Sequence, residues 1–398
     1  MVTKFSPGLI FLLGALAALG AAAIDMYLPS LPSIQSELGG VSENAQFTLS
    51  SFFIGLGVGQ LFYGPISDAL GRRKVLVVGL LLYCLGSLFC FFAGTMMELV
   101  IARFFQALGA AAGGVISRAM VRDVFNGEKA AQAQSFINLA FSLTPLMAPL
   151  VGGYLLIFFG WRSTFLALLL FGIICLLILV LKIPETLPIE KRNSLRLVPI
   201  VSGYKSVLRN SRSMGSIIAG ALAFSCMFTY FAASPFIYID LFKIPDQYYG
   251  FLFGLNVLGI IATSFINART VLKYGPLVML RIGVSIMCAG SIALVGMSIF
   301  QTMGIIGIII PLFFVIGSIG FIGANAISIA LEAFGELAGT TASLFGFTQM
   351  TLGAFCGFLV GFFHDGTAVP MGVIILILAF TSLAFLTLFV SKVGESGN

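Results

Sequence analysis

Two ionisable side chains sit inside long apolar runs of this chain. Asp25 follows the run Gly20–Ile24 and is itself followed by Pro29 and Pro32. Arg103 lies a few residues into a later run. A carboxylate in hydrocarbon costs several kcal/mol and needs a reason. Asp25 reads either as a proton or cation site facing a cavity, or as an interfacial group reaching outer water. Arg103 lies at a similar expected depth and is its natural counterpart, the alternative being an arginine that snorkels or binds backbone carbonyls. Pairing with a cation and loss of solvent move a carboxylate's titration in opposite senses. Proton exchange near neutral pH therefore asks for a pair that closes in one state and separates in another.

Further groups stand at telling spacings. Gly64, Asp68, Gly71, Arg72, Arg73 and Lys74 join two apolar runs. Three bases suffice to stop a span; the aspartate and glycines at fixed offsets are not needed for that. Asp68 is expected to pair with Arg118 or Arg122, or to cap a helix N-terminus. Pro145 and Pro149, four apart, remove two backbone donors, and Gly152 and Gly153 follow at once. They predict a kinked, closely packed helix. Tyr27, Phe224 and Phe228, with the neutral polar Asn256, Asn325 and Gln349, suit a pocket for a neutral or weakly polar aromatic ligand. His364 is the one histidine, so no metal site is expected. No phosphate-binding GxxxxGK[ST] segment and no catalytic triad is present, so neither an enzyme nor a cofactor is expected.

The elements that hold these residues follow from composition. Of 398 residues, 59% are hydrophobic and 9% charged, against about 25% charged in soluble domains. That excludes a soluble globular protein, and disorder and collagen with it. Continuous apolar runs exclude a transmembrane barrel, whose strands alternate. A span needs about 20 apolar residues. Twelve are predicted, near 8–28, 48–68, 75–94, 98–118, 134–157, 162–181, 214–238, 249–268, 277–298, 303–330, 338–362 and 368–390. The first follows Lys4 and reads as a retained anchor, longer than a cleaved signal's apolar region. With both termini inside, all but three of the 21 basic residues fall on the cytoplasmic side, in accord with the positive-inside rule. The exceptions are Arg162, Lys243 and Arg103. The net charge of +6 is thus a topology signal and points to no nucleic acid.

A polar stretch separates six spans from six. The expected divisions are an N-terminal bundle 1–181, a linker 182–213 with a short surface helix near 200–209, and a C-terminal bundle 214–398. Residues 282–331 contain no acid or base, which assigns ion-coupled chemistry to the first half. The second half is left with shape, aromatic surface and neutral polar groups. Glycines four apart (Gly55 and Gly59; Gly109 and Gly113; Gly353, Gly357 and Gly361) predict close helix packing. The six cysteines all fall in spans and read as small packing residues.

Together these residues resemble the major facilitator superfamily, specifically its twelve-span drug:proton antiporters of the Bcr/CflA type. Gly64 to Lys74 looks like the family's loop motif, with Ala69 where arginine is frequent. Arg103, Gln106 and Gly109 resemble its span-four motif. Ala148, Pro149, Gly152 and Gly153 resemble its span-five antiporter motif, with Ala148 where glycine is usual. Asp25 to Pro32 is the most subfamily-specific match, and Trp161, Arg162, Phe165, Pro184, Glu185 and Thr186 also fit. The resemblance implies an all-α fold of two six-helix bundles working by alternating access, with spans 1, 4, 7 and 10 lining the cavity. It implies proton coupling at Asp25 and Arg103, and a conformational latch at Gly64, Asp68, Gly71, Arg72 and Arg73 with Arg118 and Arg122. It further implies a monomer in a bacterial inner membrane, exporting amphenicol- or bicyclomycin-like drugs in exchange for protons. The alternative cargo is a natural metabolite such as a siderophore or amino-acid derivative.

Overall fold

The computed structural model describes residues 7–39, 42–125, 127–192, 197–301, 303–334 and 337–391. Lys4, the flank of the first span, lies outside them. Among the described residues every regular element is helical and none is a strand. Twelve stretches are long and apolar enough to cross a bilayer. The chain is a multi-pass membrane protein. Lipid offers no partner to a backbone N–H or C=O, so each span closes its own hydrogen bonds as a helix. The chain divides into two compact units, Met1–Gly40 with Ser51–Arg196, and Val41–Ser50 with Leu197–Asn398.

The first unit is built from α1 (Pro7–Asp25), a 3-10 turn (Leu28–Ser30), α2 (Leu31–Glu37), α3 (Ser42–Leu70) from Ser51 onward, α4 (Arg72–Phe92), α5 (Met96–Val124), α6 (Gly127–Phe159) and α7 (Arg162–Lys182). α5 packs on α4 and α1, α6 on α1, and α7 on α4. The glycine spacing in α5 makes this possible. A Cβ at Gly109 would overlap the backbone of Tyr83 in α4, and one at Gly113 would overlap the Leu16 carbonyl of α1. Close approach of this kind replaces the hydrophobic drive that lipid cannot supply.

The first span differs from expectation. It runs to Glu37 rather than ending near residue 28. Pro29 and Pro32 do not stop it. Each sits in the first turn of a new short helix, where a missing N–H is no loss. Glu37 is pinned: it accepts a bond from Trp161 Nε1 at 2.7 Å and one from Arg162 Nη1. Arg162 also donates to the Ala93 carbonyl at 3.0 Å and stacks 4.1 Å from the Trp161 ring centre. Asp25 therefore lies twelve residues before the end of its span, at a break between two helices.

The second unit contains α8 (Leu197–Arg209), α9 (Ser211–Pro235), α10 (Asp246–Tyr274), α11 (Pro276–Phe300), α12 (Ile306–Gly317), α13 (Ile319–Leu331), α14 (Ala338–Phe362) and α15 (Val369–Phe385). α8 is amphipathic and precedes the spans. Asn210 caps α9, its Oδ1 accepting from Ser213 N at 2.9 Å. α9 is the central helix, packed by α13, α14 and α15. α12 and α13 form one span interrupted at Ser318. Among the described residues only three charged side chains are buried, Asp25, Arg72 and Arg103, and all belong to the first unit. All six cysteines are buried and free.

Candidate transport site

Asp25 is the last residue of α1 and is 2% exposed. Its carboxylate makes no hydrogen bond or ion pair with any described residue. The chain turns at Met26 and Tyr27 directly after it, with Met26 N donating to the Ala22 carbonyl at 3.0 Å. α6 lies against this turn. A methyl group at Gly152 would overlap the Met26 carbonyl oxygen and would stand 2.8 Å from its carbon. The proline–glycine motif of α6 and the acidic break of α1 are thus one contact. Pro145 and Pro149 lie within α6, which stays helical from Gly127 to Phe159. Pro149, Gly152 and Gly153 are buried and Pro145 is half-buried.

Arg103, on α5, is fully buried. It does not pair with Asp25. Its Nη1 donates to the Ala23 carbonyl at 3.0 Å and to Gln106 Oε1 at 2.7 Å. Gln106 Nε2 donates to Ser87 Oγ on α4 at 2.9 Å. The guanidinium faces the rings of Phe52 and Tyr27, 4.0 and 4.5 Å from their centres, and Phe165 is 5.8 Å away. Its charge is therefore met by carbonyl dipoles and ring faces, each ring contributing about 0.5–2 kcal/mol. The bond to Ala23 ties α5 to α1 two residues before the carboxylate. Asp25 and Arg103 form no ion pair; what joins them is the backbone of α1, which ends at Asp25 and gives its Ala23 carbonyl to Arg103.

The turn after α3 is made by Gly71 alone, at φ +97°; Gly64 and Asp68 lie within α3. Asp68 pairs with Arg72 at 2.5 Å, not with Arg118 or Arg122. Arg72 Nε also pairs with Asp123 at 2.9 Å, and its Nη1 donates to Ser67 Oγ at 2.7 Å. Neither Arg118 nor Arg122 forms an ion pair among the described residues. Glu185 completes the cluster. It accepts the backbone N–H groups of Arg72 (2.9 Å), Arg73 (3.2 Å), Thr186 (3.0 Å) and Leu187 (3.0 Å). It thereby caps α4, whose first amides have no intrahelical acceptor. Asp123 was missed in the sequence, and Glu185 entered there only through the family resemblance, without a role. Asp123 had a signal: an acid in the last turn opposes the helix dipole and so needs a cation nearby.

The expected pocket residues fall into separate places. Tyr27 is fully buried beside Arg103, its ring 5.5 Å from Phe165. Phe224 meets Phe345 edge-on at 6.4 Å. Phe228 lies over Gly353 and meets Phe231 at 6.0 Å. Asn256 Nδ2 donates to Tyr230 OH at 3.0 Å, and Tyr230 stacks on Phe253 at 5.6 Å. Phe228, Phe231, Tyr230, Phe253, Tyr249 and Asn256 thus form one buried aromatic cluster. Asn325 is not part of it. Its Nδ2 donates to Asn267 Oδ1 at 2.7 Å and to the Phe321 carbonyl at 2.6 Å. Asn267 is eleven residues along α10 from Asn256, about 16 Å by helical rise. Asn325 therefore reads as a helix-joining residue. Gln349 is half-buried on α14. Tyr249 was overlooked, although Tyr249, Phe253 and Asn256 follow the spacing of a single helix face.

Comparison with known proteins agrees with this architecture. The family model described as Major Facilitator Superfamily matches residues 10–358. The chain is 36% identical to an uncharacterized MFS-type transporter, YdgK, of Bacillus subtilis, over 98% of this chain and 97% of that one. It is 33% identical to a bicyclomycin resistance protein homolog of Haemophilus influenzae, over 91% of each. Among solved structures, the POT family transporter PepTSo superposes with a TM-score of 0.76 at 14% identity, covering 99% of this chain and all of that one. A family model matched along most of the chain, two relatives above 30% identity over almost their whole length, and a likeness of fold to a solved transporter lead to one conclusion: the chain belongs to the Major Facilitator Superfamily and is a membrane transporter, not an enzyme.

Proposed function

We propose that this protein exports small amphiphilic compounds, bicyclomycin-like or amphenicol-like, in exchange for protons. The observation that carries the proposal is Asp25: a carboxyl group buried at a helix break, with no partner among the described residues. Such a group is free to gain and lose a proton as the site opens to one side or the other. Protonation from the outer side neutralises it and releases cargo. Deprotonation to the inner side restores the charge. Arg103, bound to the Ala23 carbonyl, keeps the end of α1 in place through the cycle. The aromatic cluster around Phe228, Tyr230 and Asn256 offers flat apolar surface to a ring-bearing cargo. The relationship to a bicyclomycin resistance protein homolog supports the cargo class. The two units are taken as the two halves of an alternating-access cycle, acting as a monomer. The side bearing Gly71 and Glu185 is taken as the cytoplasm of a bacterial inner membrane, on the evidence of its basic residues. One charge crossing 100 mV is worth about 2.3 kcal/mol, enough for a gradient of roughly fifty-fold.

Inside-out vesicles acidified by respiration test this with a pH-sensitive dye. Adding bicyclomycin or an amphenicol should dissipate the gradient with wild type and not with Asp25→Asn. Equal dissipation by both refutes coupling at Asp25. No dissipation with any drug refutes the cargo class and turns the search to metabolites.

A further inference from the structure

The start of α4 and the end of α7 meet on the side of the membrane that carries Gly71. Arg73, Lys74 and Lys182 converge there on an open cavity of about 400 Å³, whose wall also includes Leu181 and Glu185. Arg73 is held in place by a bond from its Nη2 to the Val180 carbonyl at 2.8 Å. Its Nε is buried and has no acceptor among the described residues. None of the three cations forms an ion pair among the described residues. The one acid in the wall does not neutralise them: the Glu185 carboxylate is committed to four backbone amides and to Arg192, 3.8 Å away.

The cavity's level in the bilayer is fixed by its own walls. Arg72 begins one span and Lys182 ends another, so the three cations sit where hydrocarbon gives way to headgroups. The surface next to them on the hydrocarbon side is apolar and open: Leu181 is 76% exposed, Val78 59% and Leu177 54%. A stop-transfer signal needs positive charge but needs neither a cavity nor a guanidinium locked to a neighbouring helix. We infer that this cavity binds the headgroup of an anionic phospholipid, its phosphate between Arg73, Lys74 and Lys182 and its acyl chains along Leu181 and Val78. A free phosphate would use the same cations but not the apolar wall. Basic clefts at span ends facing an anionic leaflet have the chemistry for this.

The test uses the full chain in nanodiscs of phosphatidylcholine, alone or mixed with phosphatidylglycerol or cardiolipin, and in detergent with inorganic phosphate. Lys74→Gln with Lys182→Gln alters two exposed side chains, so folding should be kept. Arg73→Gln is made separately, and Lys205→Gln with Arg209→Gln on α8 serves as a control of equal charge. Native mass spectrometry counts retained lipid, and a phosphatidylglycerol with a photoreactive headgroup maps its contacts. Wild type should retain phosphatidylglycerol or cardiolipin in preference to phosphatidylcholine, with cross-links on peptides holding residues 73–74 or 180–185. The double variant should weaken retention about five-fold for each cation removed, and the α8 control should not. Retention unchanged in the double variant, or cross-links elsewhere, would overturn the inference. Thermal stabilisation by inorganic phosphate equal to that by the lipids would overturn it too, in favour of a free anion.

Discussion

Replacing Gly152 by alanine tests the contact on which the site is built. The added methyl group would overlap the Met26 carbonyl oxygen, with the Met26 carbonyl carbon at 2.8 Å and Cα at 3.0 Å. All three neighbours are backbone, so no side chain can rotate away. Relief requires α6 to draw back by about 1 Å or the turn after Asp25 to open. Overpacking of this kind costs about 1–3 kcal/mol. A displacement of about 1 Å at a reacting group can reduce rate a hundredfold. The expected outcome is a lower thermal midpoint and a tenfold to hundredfold loss of drug-induced proton release in vesicles. Gly114→Ala is the control, because its Cβ would meet nothing within 4 Å and should leave both measurements unchanged. Wild-type transport and stability in Gly152→Ala would refute the contact between α6 and the acidic break.

Asp25→Asn should abolish gradient-driven efflux yet retain exchange of labelled for unlabelled drug across vesicles without a gradient; loss of both would mean that Asp25 binds cargo rather than coupling it to protons. Arg103→Lys keeps a charge but cannot hold the Ala23 carbonyl and Gln106 while lying flat on Phe52 and Tyr27. At about 1.5–3 kcal/mol for one lost charge-assisted bond, efflux should fall at least tenfold, and an unchanged rate would show that charge alone suffices. Glu185→Gln leaves one oxygen where two accept, so the cap on α4 weakens. The thermal midpoint should drop by an amount corresponding to about 1–2 kcal/mol, while Glu190→Gln, an acid outside the cluster, serves as the reference and should not lower it. Gly353→Ala pushes on the Phe228 ring; relative efflux rates among drugs should change more than the proton response per drug molecule, which a substrate panel checks.

The twelve spans were legible because hydropathy alone separates lipid-facing helices from loops. The two buried charges were legible for a related reason: a charge in an apolar run is conspicuous. What stayed hidden was pairing. Asp68 looked across to Arg118 and Arg122, while its partner Arg72 stood four residues on, brought round by the single-residue turn at Gly71. Asn325 was grouped with Asn256 by residue type, but Asn267 claims its side chain. The prolines after Asp25 were ambiguous in principle, since proline both ends helices and starts them; only the fold shows that both start one. Asp25 and Gly152 were each singled out, yet nothing in 126 intervening residues announces that α6 rests on the turn after Asp25.

The three buried charges lie in one unit, and the aromatic cluster lies in the other. This has a consequence for how the protein can change over generations. Exchanging one apolar residue for another of similar volume usually costs less than about 1.5 kcal/mol, so the cluster around Phe228 can accumulate substitutions without unfolding the chain. Changes at Arg72 or Arg103 are far more costly, because each strands the polar groups it holds; a change at Asp25, which has no partner to strand, costs the proposed coupling rather than the fold. On the proposed drug export, variants selected by antibiotics for a new resistance spectrum should therefore map to the second unit, while Arg72 and Arg103 pass unchanged from one lineage to the next.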